Sequence, residues 1–227
     1  MSHPWQERED RGYPRAFVET VWAALRSPRA FFAATSGRHG IRGPLLFGVV
    51  AGALGETLQF LVLVVVPLAA LQTGLFDLPA LEAPPLEIGF LDLSALPNSA
   101  LPLLGCQGVF LLVPVLVVMY VVLLFVIGGF IHLALRLLGG LRDSSEGFAG
   151  TFAVTCYTMA AFPAQMIPVL GDLVFMVLLV ILQSIGLRVV HDTTRAKALV
   201  AALAPTSLLI VAIAASALLQ IAGTATG

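Results

Sequence analysis

Charged side chains are scarce in this chain of 227 residues. Asp, Glu, Lys and Arg make up 11% of the sequence, whereas 59% is hydrophobic and the mean hydropathy is +0.98. A soluble domain carries about 25% charge. This scarcity excludes an ordinary soluble domain and predicts an all-α polytopic membrane protein.

Cysteine is equally rare, with only Cys106 and Cys156. The topology predicted below puts them at different depths, far beyond the ~4.4–6.8 Å Cα separation of a disulfide. No pair has the spacing of a zinc site. We expect both to be small, buried, apolar side chains.

The sequence also lacks the motifs of catalysis and of secretion. There is no glycine-rich phosphate loop, no HExxH, no GxSxG and no Ser/His/Asp set at one depth. His132 and His191 lie near one face of the predicted bundle. No nearby set of acidic and cysteine residues completes a metal site with them, so we interpret them as hydrogen-bonded interfacial histidines. The first apolar run starts near Pro44 and is too long for a signal peptide. We therefore predict no enzyme activity, no cofactor, no metal and no nucleic-acid partner.

Long apolar runs predict five spanning helices, each near the ~20 residues that cross a bilayer. They cover about 45–71, 108–137, 148–169, 173–190 and 198–222. The third and fourth form a tight hairpin hinged at Pro168 and Gly171. The outer loop 72–107 has four acids and no Lys or Arg. It reads either as a lid on the outer surface or as two similar turns, because FDLPAL (76–81) resembles LDLSAL (91–96).

The positive charges give the orientation. All 12 Lys and Arg residues fall in or beside the N-terminal tail, the loop around 136–142 and the loop 188–197. By the positive-inside rule the N-terminus is cytoplasmic and the C-terminus outside. The predicted location is the cell (inner or plasma) membrane.

Three regions follow from this organisation. Residues 1–14 are polar and predict a disordered cytoplasmic tail. Residues 15–43 predict an amphipathic juxtamembrane segment, and 44–222 the five-helix transmembrane domain. The juxtamembrane segment has two interpretations: a helix at the membrane interface, or an ordinary helix packed on the base of the bundle. The interfacial anchors would be Phe17, Trp22, Phe31 and Phe32.

The first span carries a stripe of small residues on one face. Gly48, Gly52 and Gly55 lie on this helix-packing face, with Glu56 and Gln59 beside them. Small residues let another helix approach closely. The stripe predicts tight packing or self-association.

Polar residues recur near the middle of several spans when depth is counted at ~1.5 Å per residue. The candidate midplane polar layer comprises Glu56, Gln59, Tyr157, Gln183, Ser184 and Thr206. An ionisable residue at the bilayer centre is costly and suggests function. Glu56 is either a structural clamp hydrogen-bonded to Tyr157 or Gln183, or a proton or ligand site.

The order and spacing of several residues resemble the prokaryotic branch of the Yip-domain (Ypt-interacting protein) family. The residues that carry the resemblance are L-x-S-P-x-x-F-F (Leu25, Ser27, Pro28, Phe31, Phe32), Gly43-Pro44, His132, Gly139-Gly140, Tyr157, Pro163, Pro168, Gly171, Gly186-Leu187, His191, Arg195 and Ala198. The resemblance covers nearly all of 15–222. It implies a five-helix membrane domain with a cytoplasmic N-terminus. Eukaryotic members are associated with Rab-type GTPases and vesicle traffic, a role that the short tail and bacterial-looking composition advise against transferring.

Two functions are consistent with the sequence. The first is a non-enzymatic membrane scaffold or membrane-organising, partner-binding protein, contacting lipids and either a second copy or another membrane protein. The second is a small transporter or lipid-handling protein that uses the midplane layer around Glu56.

Overall fold

The structure is a computed structural model that describes residues 3–36, 40–62, 87–88, 91–92, 101–142, 144–167 and 170–207, with the backbone alone in 87–112. Its helices are α1 (Arg8–Arg11), α2 (Tyr13–Arg26), α3 (Pro28–Thr35), α4 (Arg42–Phe60), α5 (Leu101–Leu137), α6 (Gly147–Thr158), α7 (Gly171–Val190) and α8 (195–207). There are also 3-10 helices at Pro4–Glu7 and Met159–Met166, and a short antiparallel pair, β1 (Glu87–Ile88) with β2 (Leu91–Asp92).

Three of the described helices are long and apolar enough to cross a membrane. They are Arg42–Phe60, Val113–Leu137 and Gly171–Val190. These correspond to the first, second and fourth predicted spans. Helix α5 begins at Leu101, earlier than the predicted residue 108, so its first turns belong to the segment predicted as outer loop.

The third predicted span is the centre of the bundle. Every residue from Gly150 to Ala161 is buried, between α4, α5 and α7. The α-helix ends at Thr158 and continues as a 3-10 helix containing Pro163, which has no N–H for a helical hydrogen bond. Neighbouring helices surround this segment, and its threonines find partners within the protein, as Thr155 does by donating to the Thr151 carbonyl.

The remaining predicted elements are partly outside the described residues. Helix α8 covers the start of the fifth predicted span, and residues 208–222 lie beyond the described part. So do Pro168, one of the predicted hinge residues, most of the outer loop and the side chain of Cys106. The other hinge residue, Gly171, begins α7, and its N–H donates to the carbonyl of Ile167.

The structure differs from the prediction of a disordered tail at residues 1–14. Residues 4–11 are helical, and Trp5 is buried, with its indole N–H donating to the Gly43 carbonyl at 2.7 Å. The Trp5 ring meets Phe17 and Phe47 edge-on. Burial of one large aromatic side chain orders a segment whose other residues are polar. Trp5 was the available signal in the sequence.

Helices α5 and α7 end with the same kind of turn. At the end of α5, Gly139 has φ +64, its N–H donates to Arg136 and the N–H of Gly140 donates to Leu135. This is a Schellman turn, in which a left-handed residue suits glycine. At the end of α7, Asp192 has φ 45 and the N–H of Thr193 donates to the Arg188 carbonyl.

Candidate functional site at the basic end of the bundle

Four helix ends meet where α5 and α7 stop and α6 and α8 start. We call this region the basic end, because it carries Arg136, Arg142, Arg188, Arg195 and Lys197. Lys197 on α8 donates to the carbonyl of Gly139 at 3.1 Å. That bond joins the start of α8 to the turn after α5.

A chain of alternating hydroxyl and imidazole groups crosses the basic end. His132 Nδ1 lies 3.0 Å from Thr151 Oγ1, which lies 2.9 Å from His191 Nε2. His191 Nδ1 in turn lies 2.7 Å from Ser144 Oγ, and that oxygen accepts from the N–H of Glu146. With both histidines neutral, every hydrogen bond of the chain can form with the donors pointing either toward Ser144 or toward His132. It connects three helices and the loop between α5 and α6.

His191 is held uncharged at neutral pH. Its side chain is 1% exposed. Burial, together with the nearby His132, lowers the pKa of His191 to about 4, and Glu146 opposes part of the shift. The sequence predicted hydrogen-bonded histidines at this face but did not predict that Thr151 would join the two.

A cavity of about 580 Å³ opens at the basic end. Its lining residues include His132, Arg136, Arg142, Ser144 and Lys197, and the described lining residues include no carboxylate. A second cavity, of about 460 Å³, is lined by Arg29, Arg188 and Arg195 together with Ser184 and Asp192. The described lining of both cavities therefore carries several cations, and that of the second cavity also carries one carboxylate, Asp192.

Glu56 has a partner that the sequence analysis did not propose. Tyr120 on α5 donates to Glu56 Oε1 at 3.1 Å. Gln59, one turn further along α4, donates to Asp172 in the first turn of α7 at 2.9 Å, in an exposed contact. Glu56 and Gln59, which the sequence analysis placed in one polar layer, therefore have different hydrogen-bond partners on different helices.

The other residues of the predicted polar layer lie in different surroundings. Gln183 is buried, accepts from Thr158 at 3.0 Å and donates to Thr155 at 3.1 Å. Tyr157 is buried against the rings of His3, Phe31 and Phe47. Ser184 donates to the Ile181 carbonyl, and Thr206 is half-buried in α8. These residues form several local contacts, and Gln183 with its two threonines is a clamp between α6 and α7.

The three glycines of the predicted packing face are all buried against the bundle. A Cβ at position 48 would lie 2.9 Å from Leu124 and 3.1 Å from the Cα of Cys156. At position 52 it would overlap the ring of Tyr120. At position 55 it would lie 2.7 Å from Gln165 Oε1. The stripe packs within this chain, against α5, α6 and the 3-10 segment.

The four predicted interfacial anchors divide into two groups. Phe31 and Phe32 are buried, and Phe17 packs against Phe47 and Phe162. Trp22 is 62% exposed, with the Arg26 guanidinium 5.8 Å from its ring centre. Val18, one turn earlier, is also exposed. Val18 and Trp22, together with Tyr13 at the start of α2, therefore form an outward apolar surface.

In the part of the chain that the structure describes, no group of three or more His, Cys, Asp or Glu residues is arranged to hold a metal ion. Cys156 is a free thiol buried beside Gly48.

Comparison with known proteins identifies one family. The model of the Yip1 domain family matches residues 22–216. No curated protein and no solved structure matches the chain. The family match covers every residue of the two cavities and of the hydroxyl–imidazole chain.

Proposed function

We propose that this chain, which belongs to the Yip1 domain family, is a non-enzymatic membrane scaffold. It is an integral membrane protein with apolar transmembrane helices. In this proposal it organises membrane lipids and binds a second copy or another membrane protein, in the inner membrane of a bacterial cell.

The observation that carries the proposal is the close packing around Glu56. The glycine face of α4 leaves no room for a Cβ against Tyr120, Leu124 or Gln165, and Glu56 accepts a hydrogen bond from Tyr120. A transport site at the midplane needs space for a solute and a path to each side. The packing favours a rigid bundle in which Glu56 is a clamp.

Five spans are consistent with the described helices. The 12 residues of α6 and the 8 residues of the following 3-10 helix have a combined length of about 34 Å at the usual rise per residue. That length reaches across the ~30 Å hydrocarbon core. We propose α6 as the third span, surrounded by protein, and α8 as the start of the fifth, with the basic end on the cytoplasmic side.

Helix α2 supplies the surface at the membrane interface in this proposal. Val18 and Trp22 provide exposed apolar area, and Arg15 and Arg26 provide charge for anionic lipids. The 15–43 segment therefore combines both interpretations of the sequence: Phe31 and Phe32 anchor it to the bundle, and Trp22 faces the lipid.

A flux measurement tests the scaffold against the transporter. Full-length protein in vesicles that hold a pH-sensitive dye should dissipate a pH gradient no faster than empty vesicles, and Glu56→Gln should change nothing. A gradient that collapses with wild type and persists with Glu56→Gln would show a proton pathway through Glu56 and overturn the proposal.

Proximity labelling in cells tests the binding role. A biotin ligase fused to the N-terminus should label a reproducible set of membrane proteins, or unfused copies of this chain. The control is an unrelated five-span protein expressed at the same level. Labelling that matches the control would contradict a scaffold.

A further inference from the structure

We propose that the cavity at the basic end binds the phosphate headgroup of an anionic phospholipid. The cavity has a volume of about 580 Å³, and three of its lining side chains, Arg136, Arg142 and Lys197, are cations. The inference rests on the membrane placement proposed above, which cysteine accessibility tests separately.

Among the residues that the structure describes, no carboxylate is paired with the arginines of the cavity. In the described part of the chain, the ion pairs join Arg11 and Arg15 to Glu7 and Glu19. Neither Arg136 nor Arg142 takes part in one. A guanidinium can donate two parallel hydrogen bonds to phosphate oxygens. The nearby described carboxylate, Glu146, is not a lining residue and accepts a hydrogen bond from Ser36 at 3.1 Å.

The remaining polar groups of the wall are held in position before a ligand arrives. Lys197 uses one of its three N–H donors on the Gly139 carbonyl, which leaves two for an anion. His132 uses Nδ1 toward Thr151, and no described residue hydrogen-bonds its Nε2, which can therefore face the ligand. Ser144 is fixed by His191. A site whose donors are fixed in advance loses less conformational entropy on binding.

The apolar part of the wall distinguishes a lipid from a free anion. Leu137 and Leu138 line the same cavity as the arginines, and Leu133 precedes them by one turn. All three are exposed, Leu137 by 79%. They continue the apolar surface of α5, a spanning helix, up to the cations. Charge beside lipid-facing leucine fits a headgroup with acyl chains, because basic pockets between membrane helices bind anionic headgroups.

The test titrates phosphatidylglycerol into the full-length protein in neutral detergent and counts bound lipid by native mass spectrometry. Phosphatidylcholine is the neutral-lipid comparison, and inorganic phosphate is the anion without acyl chains. The wild type should bind phosphatidylglycerol saturably and at least about tenfold more tightly than phosphatidylcholine. Both lipids carry a phosphate, but the choline ammonium cancels its charge and is repelled by the cations of the cavity. Millimolar phosphate should not displace it.

A matched pair of variants localises the binding. Arg136→Gln with Arg142→Gln should weaken phosphatidylglycerol binding by about tenfold or more. Arg188→Gln with Arg195→Gln removes the same charge from the second cavity and should leave the affinity within about twofold, because exposed charges contribute little through solvent. Equal losses in the two double variants would reduce the effect to diffuse attraction and overturn the assignment.

Two further outcomes are decisive. Displacement by phosphate at millimolar concentration would assign the cavity to a free anion instead of a lipid. Arg136→Lys with Arg142→Lys keeps both charges and should retain most of the affinity that the glutamine variant loses. If both pairs lose affinity equally while their lipid-free thermal stability matches wild type, positive charge alone does not hold the headgroup and the proposal fails.

Discussion

The ring of Tyr120 fills the space in which a side chain at position 52 would lie, so Gly52 is what allows α4 and α5 to meet there. The same tyrosine donates to Glu56, one turn along α4. The tyrosine ring lies over Gly52 and its hydroxyl reaches Glu56. One side chain therefore provides both the close packing and a hydrogen bond between α4 and α5.

The first prediction concerns this contact. Gly52→Ala should lower the free energy of unfolding by about 1–3 kcal/mol, because an added methyl group displaces the Tyr120 ring in a filled interface. Gly129→Ala on α5 is the control: nothing lies within 4 Å of its added Cβ. It should be neutral or stabilising by up to about 1 kcal/mol, because alanine is the better helix former. Denaturation in detergent measures both, and equal effects would contradict the packing.

Glu56 should act as a hydrogen-bond acceptor whose charge is dispensable. Glu56→Gln preserves size and an acceptor oxygen, so it should be nearly silent in stability. Tyr120→Phe should cost about 0.6 kcal/mol, the usual worth of a hydrogen bond between membrane helices. Glu56→Leu should cost about 1 kcal/mol. A double-mutant cycle on Tyr120 and Glu56 measures the coupling, and a coupling of zero would mean that the bond contributes nothing.

Stability should depend on the protonation of His191. Its pKa is about 4 in the folded protein and about 6.5 when unfolded. The unfolded state therefore binds more protons between these values, and the contribution of His191 is complete above about pH 6.5 and lost progressively toward pH 4. Thermal unfolding against pH should show this decline, and His191→Gln should flatten it. His132→Gln controls for the neighbouring ring. An unchanged slope in His191→Gln would refute the assignment.

Trp22 should contact lipid in the reconstituted protein, while Trp5 should not. Brominated lipids quench tryptophan fluorescence at short range. Trp22→Phe should abolish most of the quenching, because Trp22 is 62% exposed, whereas Trp5→Phe should retain it, because Trp5 is 2% exposed. Quenching that survives in Trp22→Phe would mean that α2 does not lie on the membrane.

Cysteine accessibility should divide the chain as the charge distribution predicts. In a background of Cys106→Ala and Cys156→Ala, cysteines introduced at Phe90 and Ala225 should react with an impermeant maleimide in intact cells. Cysteines at Asp10 and Arg195 should react only after permeabilisation. Labelling of position 195 from outside would sink both the orientation and the five-span topology.

The glycine face was predictable because its cause is local. Residues at i, i+4 and i+7 share one side of a helix whatever surrounds it, so Gly48, Gly52 and Gly55 formed a stripe in the sequence itself. The partner of that stripe was not predictable. Tyr120 stands 64 residues from Glu56, and nothing near either residue indicates the pairing.

The prediction that the N-terminal tail is disordered was wrong, because residues 4–11 are helical. Its composition predicts disorder because most of its residues are polar, and composition averages over a segment. One buried ring, Trp5, outweighs that average once α4 presents Phe47 and the Gly43 carbonyl to it. The surface that buries Trp5 belongs to α4, so the sequence of the tail alone does not reveal the free energy that orders it.

By itself the sequence determined the membrane class, the apolar helices and the segregation of positive charge, because each depends on composition and short-range periodicity. Only the tertiary structure decided which polar groups meet. In the folded chain, Thr151 links His132 to His191, and Tyr120 hydrogen-bonds Glu56. One cavity is lined by Arg136, Arg142 and Lys197. Those contacts depend on how helices far apart in the chain pack side by side, and helix packing is set by the fit of whole surfaces.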